Sequence, residues 1–89
     1  MIENTHHRQL VEQGALLLDV RTPAEFSEGH GSRALTIPVQ ELAARLGEVG
    51  PTTRPVVVYC RSGGRSASAT ALLRQAGYKV KDIGPMSAW

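Results

Sequence analysis

The sequence predicts an α/β fold, a three-layer α/β/α domain with a mainly parallel sheet of four to five strands. Strand-like and helix-like stretches alternate along the chain, which is typical of βαβ units. Two nearly continuous apolar runs, residues 15–20 and Val56–Cys60, are expected of strands buried on both faces. A length of 89 residues suits one small domain, so we expect residues 1–89 to form a single domain.

The first predicted helix and strand occupy the amino-terminal part of the chain. Residues 5–13 suit a short helix, with Asn4 or Thr5 as its N-cap and Gly14 as its end. The run ALLLDV at residues 15–20 follows as the first strand. An aspartate therefore lies near the carboxyl end of this strand.

A second helix and strand follow, and then a third helix. Pro23–Glu28 suits a helix because Thr22 is a good N-cap and proline is favoured at the first helical position. Residues 34–37 suit a short strand that a proline ends. Apolar residues then recur at helical spacing over residues 39–46, which predicts a helix that ends at Gly47.

The second half of the chain contains the clearest strand pattern. Residues 50–55 form a turn-rich link, and Val56–Cys60 is β-branched and apolar. A helix rich in small residues is predicted over residues 66–76. A last strand is predicted over residues 78–83, with a turn at residues 84–85.

Composition excludes several classes of function. Ten Lys and Arg against eight Asp and Glu give a formal charge of +2, which is too weak a balance to predict nucleic-acid binding. No run approaches the roughly 20 apolar residues of a membrane span. One cysteine forms no internal disulfide, and the polar amino terminus lacks a signal-peptide core, so we expect a soluble cytoplasmic protein.

The most informative segment is the loop CRSGGRS at residues 60–66, directly after the second apolar strand. Ligands of parallel sheets bind beyond the carboxyl ends of strands, which is where Cys60 lies. Because a helix follows at once, its N–H groups and positive end would lower the thiol pKa below the ordinary value of about 8.5. The loop therefore predicts a reactive thiolate in an anion-binding cradle.

Every loop residue after the cysteine offers a group that can bind an anion. Glycines let successive N–H groups turn inward, arginines supply bidentate charged donors, and serines supply hydroxyls. The predicted binding residues are Arg61, Ser62, Gly63, Gly64, Arg65 and Ser66. Asp19 and Arg21 share one strand face and would border the site, although we favour a structural ion pair for them. His6 and His7 share no helix face, so no metal site is predicted.

The chain resembles the rhodanese-like sulfurtransferases in their small single-domain form. The motifs that carry the resemblance are LLLDVRTPAEF (16–26), GH (29–30) followed by ALTIP (34–38), VVVYCRSGGRS (56–66), LLRQAGY (72–78) and DIGPMSAW (82–89). They stand in the family's order and cover nearly the whole chain. The resemblance implies a rhodanese-like domain of the predicted class.

The resemblance also implies a chemistry. Cys60 would take a sulfane sulfur from a small anionic donor such as thiosulfate as a persulfide, and a thiophilic acceptor, cyanide or a thiol, would remove it. The N–H groups of residues 61–66 would hold the persulfide, Arg65 the anionic donor, and Arg61 would stand at the rim. No metal or organic cofactor is implied. A carrier or interaction module of the same fold, which exchanges sulfur with a protein partner, remains an alternative.

Loop length separates this function from cysteine-dependent phosphatases and arsenate reductases. Their loops place the arginine one position later than Arg65, where this chain has Ser66. The shorter loop makes a smaller cradle, which favours sulfur over a phosphoryl group.

Two departures from the family pattern add expectations. Residues 31–33, Gly-Ser-Arg, replace an Ile and a Pro-Gly pair, so we expect a mobile loop whose Arg33 reaches an anionic donor or a partner. Relatives continue past the position of Trp89 with another helix. Either the sequence is truncated or the domain lacks its C-terminal helix, and we expect the domain to be marginally stable or to self-associate.

Overall fold

The computed structural model describes residues 6–89 of the chain. Its elements are α1 (His7–Glu12), β1 (Leu16–Asp19), α2 (Pro23–Glu28), β2 (Leu35–Thr36), α3 (Leu46–Val49), β3 (Val56–Cys60), α4 (Gly64–Gln75) and β4 (Val80–Pro85). Short 3₁₀ turns at Val39–Glu41 and Ala43–Arg45 precede α3, and a third at Met86–Ala88 follows β4. Within this described range no helix is long and apolar enough to cross a membrane.

The four strands form one parallel sheet in the order β2-β1-β3-β4. This confirms the predicted α/β class and the predicted parallel sheet. The chain moves outward from β1 to β2 and then returns to place β3 on the other side of β1, with Asp19 opposite Tyr59. The carboxyl ends of β1 and β3 therefore meet at the position where ligand sites of open α/β sheets occur. Cys60 is the last residue of β3.

The sheet carries a hydrophobic core on each face, because successive side chains of a strand point to opposite sides. Val58 belongs to the same core as Leu73 of α4, whereas Val57 belongs to the core that includes Leu10 of α1. All five side chains of β3 are buried. Helices cover both faces, which confirms the three-layer arrangement.

Two of the predicted elements have the same bounds in the structure. β3 and α2 have the predicted limits. Thr22 and Glu25 form a capping box at the start of α2, in which each side chain accepts a hydrogen bond from the backbone N–H of the other. The predicted cap residues Asn4 and Thr5 lie outside the described residues, and His6 caps α1.

The prediction of one α-helix over residues 39–46 is wrong. Two 3₁₀ turns occupy most of this stretch, and α3 begins only at Leu46 and passes through Gly47. The chain turns instead at Gly50, whose φ is 95°. Apolar residues spaced by three share a face in a 3₁₀ turn as well as in an α-helix, so the spacing alone does not separate the two.

The predicted limits of the last helix and strand are shifted. α4 begins at Gly64 rather than at residue 66, and β4 spans Val80–Pro85 rather than residues 78–83. The register of β4 slips by one residue, since Val58 pairs with Asp82 and Tyr59 with Gly84. This bulge keeps residues 84–85, predicted as a turn, inside the strand.

Candidate active site

Cys60 ends β3 at the meeting point of β1 and β3. Its side chain is 0% exposed and belongs to the core between the sheet and α4. The backbone N–H of Gly63, the N-cap residue of α4, donates a hydrogen bond to Cys60 Sγ at 2.9 Å. The thiol is thus held against the first turn of α4, the positive end of that helix.

The environment of the thiol favours its ionised form. Burial raises the pKa of Cys60, but hydrogen bonds from the Ser66 hydroxyl and from the backbone N–H groups of Ser66, Gly63 and Ser62 lower it by more, so the pKa lies below its ordinary value. Donors that point at the sulfur stabilise the anion much more than the neutral thiol, which is only a weak acceptor. The direction of this shift favours the thiolate, the form in which a cysteine reacts.

The Ser66 hydroxyl has a choice of two acceptors. It is buried and lies 3.1 Å from the carbonyl oxygen of Gly63, to which it donates. The same hydroxyl is within reach of Cys60 Sγ. Because a hydroxyl has one proton, it serves one acceptor at a time, and ionisation of the thiol favours rotation toward the sulfur.

The two loop glycines differ in what the backbone requires of them. Gly63 has φ 109°, a left-handed conformation that side chains resist. This conformation directs its N–H back toward Cys60 Sγ. Gly64 opens α4, and an added Cβ there would meet nothing within 4 Å. Of these two glycines, only Gly63 has a backbone conformation that requires glycine.

Gly63→Ala should raise the pH at which Cys60 reacts with iodoacetamide, because strain at a positive φ moves the N–H away from the sulfur. We expect an accompanying loss of about 1–2 kcal/mol in the free energy of unfolding. Gly64→Ala is the matched control and should leave the alkylation profile in place, with a slightly more stable helix. The pH dependence of alkylation and urea unfolding measure both effects, and equal pKa shifts in the two variants would contradict the assignment.

Arg65 forms a two-pronged ion pair with Glu25 of α2. Its Nη1 and Nη2 atoms donate to Glu25 Oε1 and Oε2 at 2.7 and 3.0 Å. The Arg65 hydrogen bonds, followed by that from the Thr22 N–H, lower the pKa of Glu25 to about 2. The guanidinium that the sequence assigned to an anionic donor is thus already engaged, and a donor must compete for it with a carboxylate.

A cleft of about 270 Å³ lies beside the loop. Arg61, the residue after Cys60, borders it and is exposed. The full lining is Arg21, Glu25, Glu28, Gly29, Arg61, Met86 and Ser87. This cleft gives a small molecule a place next to the loop of residues 60–66.

Asp19 and Arg21 form a buried network behind the site. Arg21 Nε donates to Asp19 Oδ1 at 2.9 Å, and its Nη2 donates to Oδ2 at 2.6 Å and to the carbonyl of Gly29 at 2.7 Å. The Tyr59 hydroxyl donates to Asp19 Oδ2 at 2.8 Å and accepts from the Gly31 N–H at 2.9 Å. Burial raises the pKa of Tyr59 to about 12, so it remains a donor. Asp19 and Arg21 were expected either to border the site or to form a structural ion pair, and this geometry favours the structural ion pair.

The segment at residues 31–33 is tied down at one end. Gly31 is buried, and a Cβ there would lie 2.6 Å from Leu17 Cδ2. Ser32 and Arg33 are exposed, so the expected mobility, which stays a prediction, concerns these two residues. Arg33 borders a separate cleft that Trp89 also lines.

Sequence analysis missed five residues of the cleft, which are Glu25, Glu28, Gly29, Met86 and Ser87. Glu25 and Glu28 are three apart on a predicted helix and so share a face, which was an available signal. Met86 and Ser87 reach the cleft because β4 continues past the expected turn, and no local signal indicated this. Within residues 6–89 no group of three or more His, Cys, Asp or Glu side chains is arranged to hold a metal ion.

The parallel sheet and the cysteine loop at its carboxyl edge define a rhodanese-like domain, and the chain belongs to this family, whose model matches residues 3–89. A protein named sulfurtransferase from Allochromatium vinosum is 42% identical over 89 residues, which are 98% of this chain and 82% of that one. Thiosulfate sulfurtransferase 16, chloroplastic, from Arabidopsis thaliana is 37% identical over 97 residues, 90% of this chain and 78% of that one. The family therefore connects the chain with sulfur transfer in general.

Solved structures show the same fold inside larger chains. Reduced Bacillus anthracis CoADR-RHD matches with a TM-score of 0.78 and 38% identity, covering 85% of this chain and 14% of that one. A NAD-dependent persulfide reductase from A. fulgidus matches with a TM-score of 0.72 and 36% identity, covering 89% and 14%. These two likenesses concern the fold, since each covers a small part of the solved chain.

Proposed function

We propose that this protein moves a sulfane sulfur from a donor such as thiosulfate to a thiophilic acceptor, cyanide or a thiol, through a persulfide on Cys60. In the first step the Cys60 thiolate attacks the outer sulfur of thiosulfate. A sulfur–sulfur bond forms, the one in thiosulfate breaks, and sulfite leaves with its electron pair. In the second step the acceptor attacks the outer sulfur, and Cys60 leaves as a thiolate.

The observation that supports this proposal is the lowered pKa of a thiol that accepts hydrogen bonds from the start of α4. Both steps need a sulfur anion on Cys60, once as the attacking group and once as the leaving group. The same donors stabilise both states. A thiol of this kind is kept reduced in the cytoplasm, which is where we propose that the protein acts.

The intact mass of the chain after incubation with thiosulfate tests the proposal. We expect the gain of one sulfur atom, followed by its loss to cyanide with release of thiocyanate. Since Cys60 is the only cysteine, no other thiol can account for the gain. Protein whose Cys60 has been alkylated is the control. No gain from thiosulfate or from any persulfidated donor would overturn the proposal.

A partner-dependent sulfur carrier is the second candidate, and two observations favour it. Cys60 is fully buried, and Arg65 is occupied by Glu25, so a partner that displaces the loop would improve access to the sulfur. In this case the chain gains sulfur from a persulfidated protein donor and little from thiosulfate. The same mass measurement with the two donors separates the candidates.

A further inference from the structure

The cleft beside the catalytic loop is lined by four charged side chains, two of each sign. Arg21 and Glu25 each have a partner of opposite charge. Arg61 and Glu28 are exposed, and in the described part of the chain the side chain of neither forms an ion pair or a hydrogen bond. The cleft therefore presents one free cation and one free anion to its contents.

We propose that this cleft is the acceptor site and that it takes a small zwitterionic thiol, an amino acid that carries a thiol, an ammonium and a carboxylate. Arg61 binds the carboxylate and Glu28 binds the ammonium. Arg61 directly follows Cys60, so the cleft borders the loop that carries the persulfide. The inference rests on the proposed sulfur transfer and names the acceptor class of the same site.

Charge and size both support this class of acceptor. The guanidinium of Arg61 presents a planar fork that matches a carboxylate, whereas the Glu28 carboxylate attracts an ammonium and repels a second negative charge. The volume of about 270 Å³ lies below the roughly 300–1,000 Å³ of pockets that enclose drug-sized ligands. Met86, which is partly buried, offers apolar contact to the methylene that carries the thiol.

The transfer to this acceptor balances without a further reagent. The acceptor thiol loses its proton to water, and its sulfur attacks the outer sulfur of the Cys60 persulfide. A new sulfur–sulfur bond forms, and the bond to Cys60 Sγ breaks with its electron pair on Sγ. The backbone donor of Gly63 receives the leaving thiolate, and the product is the persulfide of the acceptor.

Three thiols test the assignment on protein that thiosulfate has converted to the persulfide. Cysteine carries both charges, cysteamine lacks the carboxylate, and mercaptopropionate lacks the ammonium. The rate at which each thiol removes the sulfur is followed by intact mass, and each variant is compared with wild type for the same thiol. Differences in thiol reactivity then cancel.

Glu28→Gln should slow the reactions of cysteine and cysteamine about fivefold, as loss of one partly exposed ion pair predicts, and should not slow that of mercaptopropionate. Arg61→Gln should slow cysteine and mercaptopropionate and not cysteamine. Glu12→Gln is the matched control, because Glu12 is exposed on α1 and does not border the cleft.

Equal effects of Glu28→Gln on all three thiols, or no effect on any, would overturn the zwitterion site. Failure of the underlying sulfur transfer has a different result. In that case wild-type protein forms no persulfide and releases no thiocyanate to cyanide, whichever thiol is offered.

Discussion

Cys60→Ser should reduce thiocyanate formation from thiosulfate and cyanide to the rate without protein, a loss of at least about 10³-fold. In the proposed transfer the thiolate is the nucleophile, whereas a serine hydroxyl stays protonated near neutral pH and forms no persulfide. The four hydrogen-bond donors around the position remain, but they have no sulfur to stabilise. The initial rate of thiocyanate formation over a range of thiosulfate concentrations is the measurement.

Loss of activity in this variant must be separated from loss of fold. Serine is close to cysteine in size, and its oxygen can accept the Gly63 N–H that now points at Sγ. We expect circular dichroism and the unfolding transition to stay near those of wild type. Ser68→Ala is a control on α4, since its exposed hydroxyl lies 3.5 Å from the Gly64 carbonyl and contacts no sulfur. More than a tenth of wild-type turnover in Cys60→Ser would show that transfer does not pass through Cys60.

Elements with strong local signals were predictable from the sequence to the residue. β3 has five consecutive buried residues, most of them β-branched, and such a run has no competing helical pattern. The start of α2 combines Thr22, a proline and Glu25 in a capping box, which fixes the helix start by short-range hydrogen bonds. β4 was shifted because its bulge arises from pairing with β3, which no stretch of β4 alone encodes.

The candidate site also combines a feature that local sequence predicts with one that depends on the folded chain. The place of Cys60, at a strand end and before a helix, follows from local patterns. The partner of Arg65 does not, because Glu25 lies 40 positions earlier and meets it only after the sheet has formed. The sequence shows that an arginine is present, but only the folded structure shows whether its side chain forms an ion pair. Arg61 and Arg65 look alike in the sequence, yet within the described residues Arg65 forms an ion pair and Arg61 does not.

The buried network behind the site links stability to the shape of the cleft. Arg21 holds the Gly29 carbonyl, and Tyr59 holds the Gly31 N–H, while Asp19 holds both Arg21 and Tyr59. Gly29 also lines the cleft. A change at Asp19 should therefore be felt in the segment that borders the cleft as well as in the core.

Asp19→Asn should lower the free energy of unfolding by about 3–5 kcal/mol, as is typical when one partner of a buried ion pair is removed. The amide keeps the size of the side chain, but its NH₂ group replaces Oδ2, which accepts from both Arg21 and Tyr59. Donors then face donors, and the Arg21 charge, on a side chain 6% exposed, is uncompensated. Urea unfolding followed by circular dichroism measures the loss. For a small domain with a total stability of about 5–15 kcal/mol, the loss is a large share.

The double variant Asp19→Asn/Arg21→Met should recover part of this loss, because it removes the buried charge together with its partner. The coupling energy of the pair is the difference between the loss in the double variant and the sum of the losses in the two single variants. Arg45→Met is the exposed counterpart. Arg45 pairs with Glu41 and Glu48 at 2.9 and 2.7 Å, but the two carboxylates are 55% and 48% exposed, so its loss should cost far less than the change at Asp19. Equal costs at Arg45 and Asp19 would contradict the structural role of the buried pair, since solvent then compensates both charges alike.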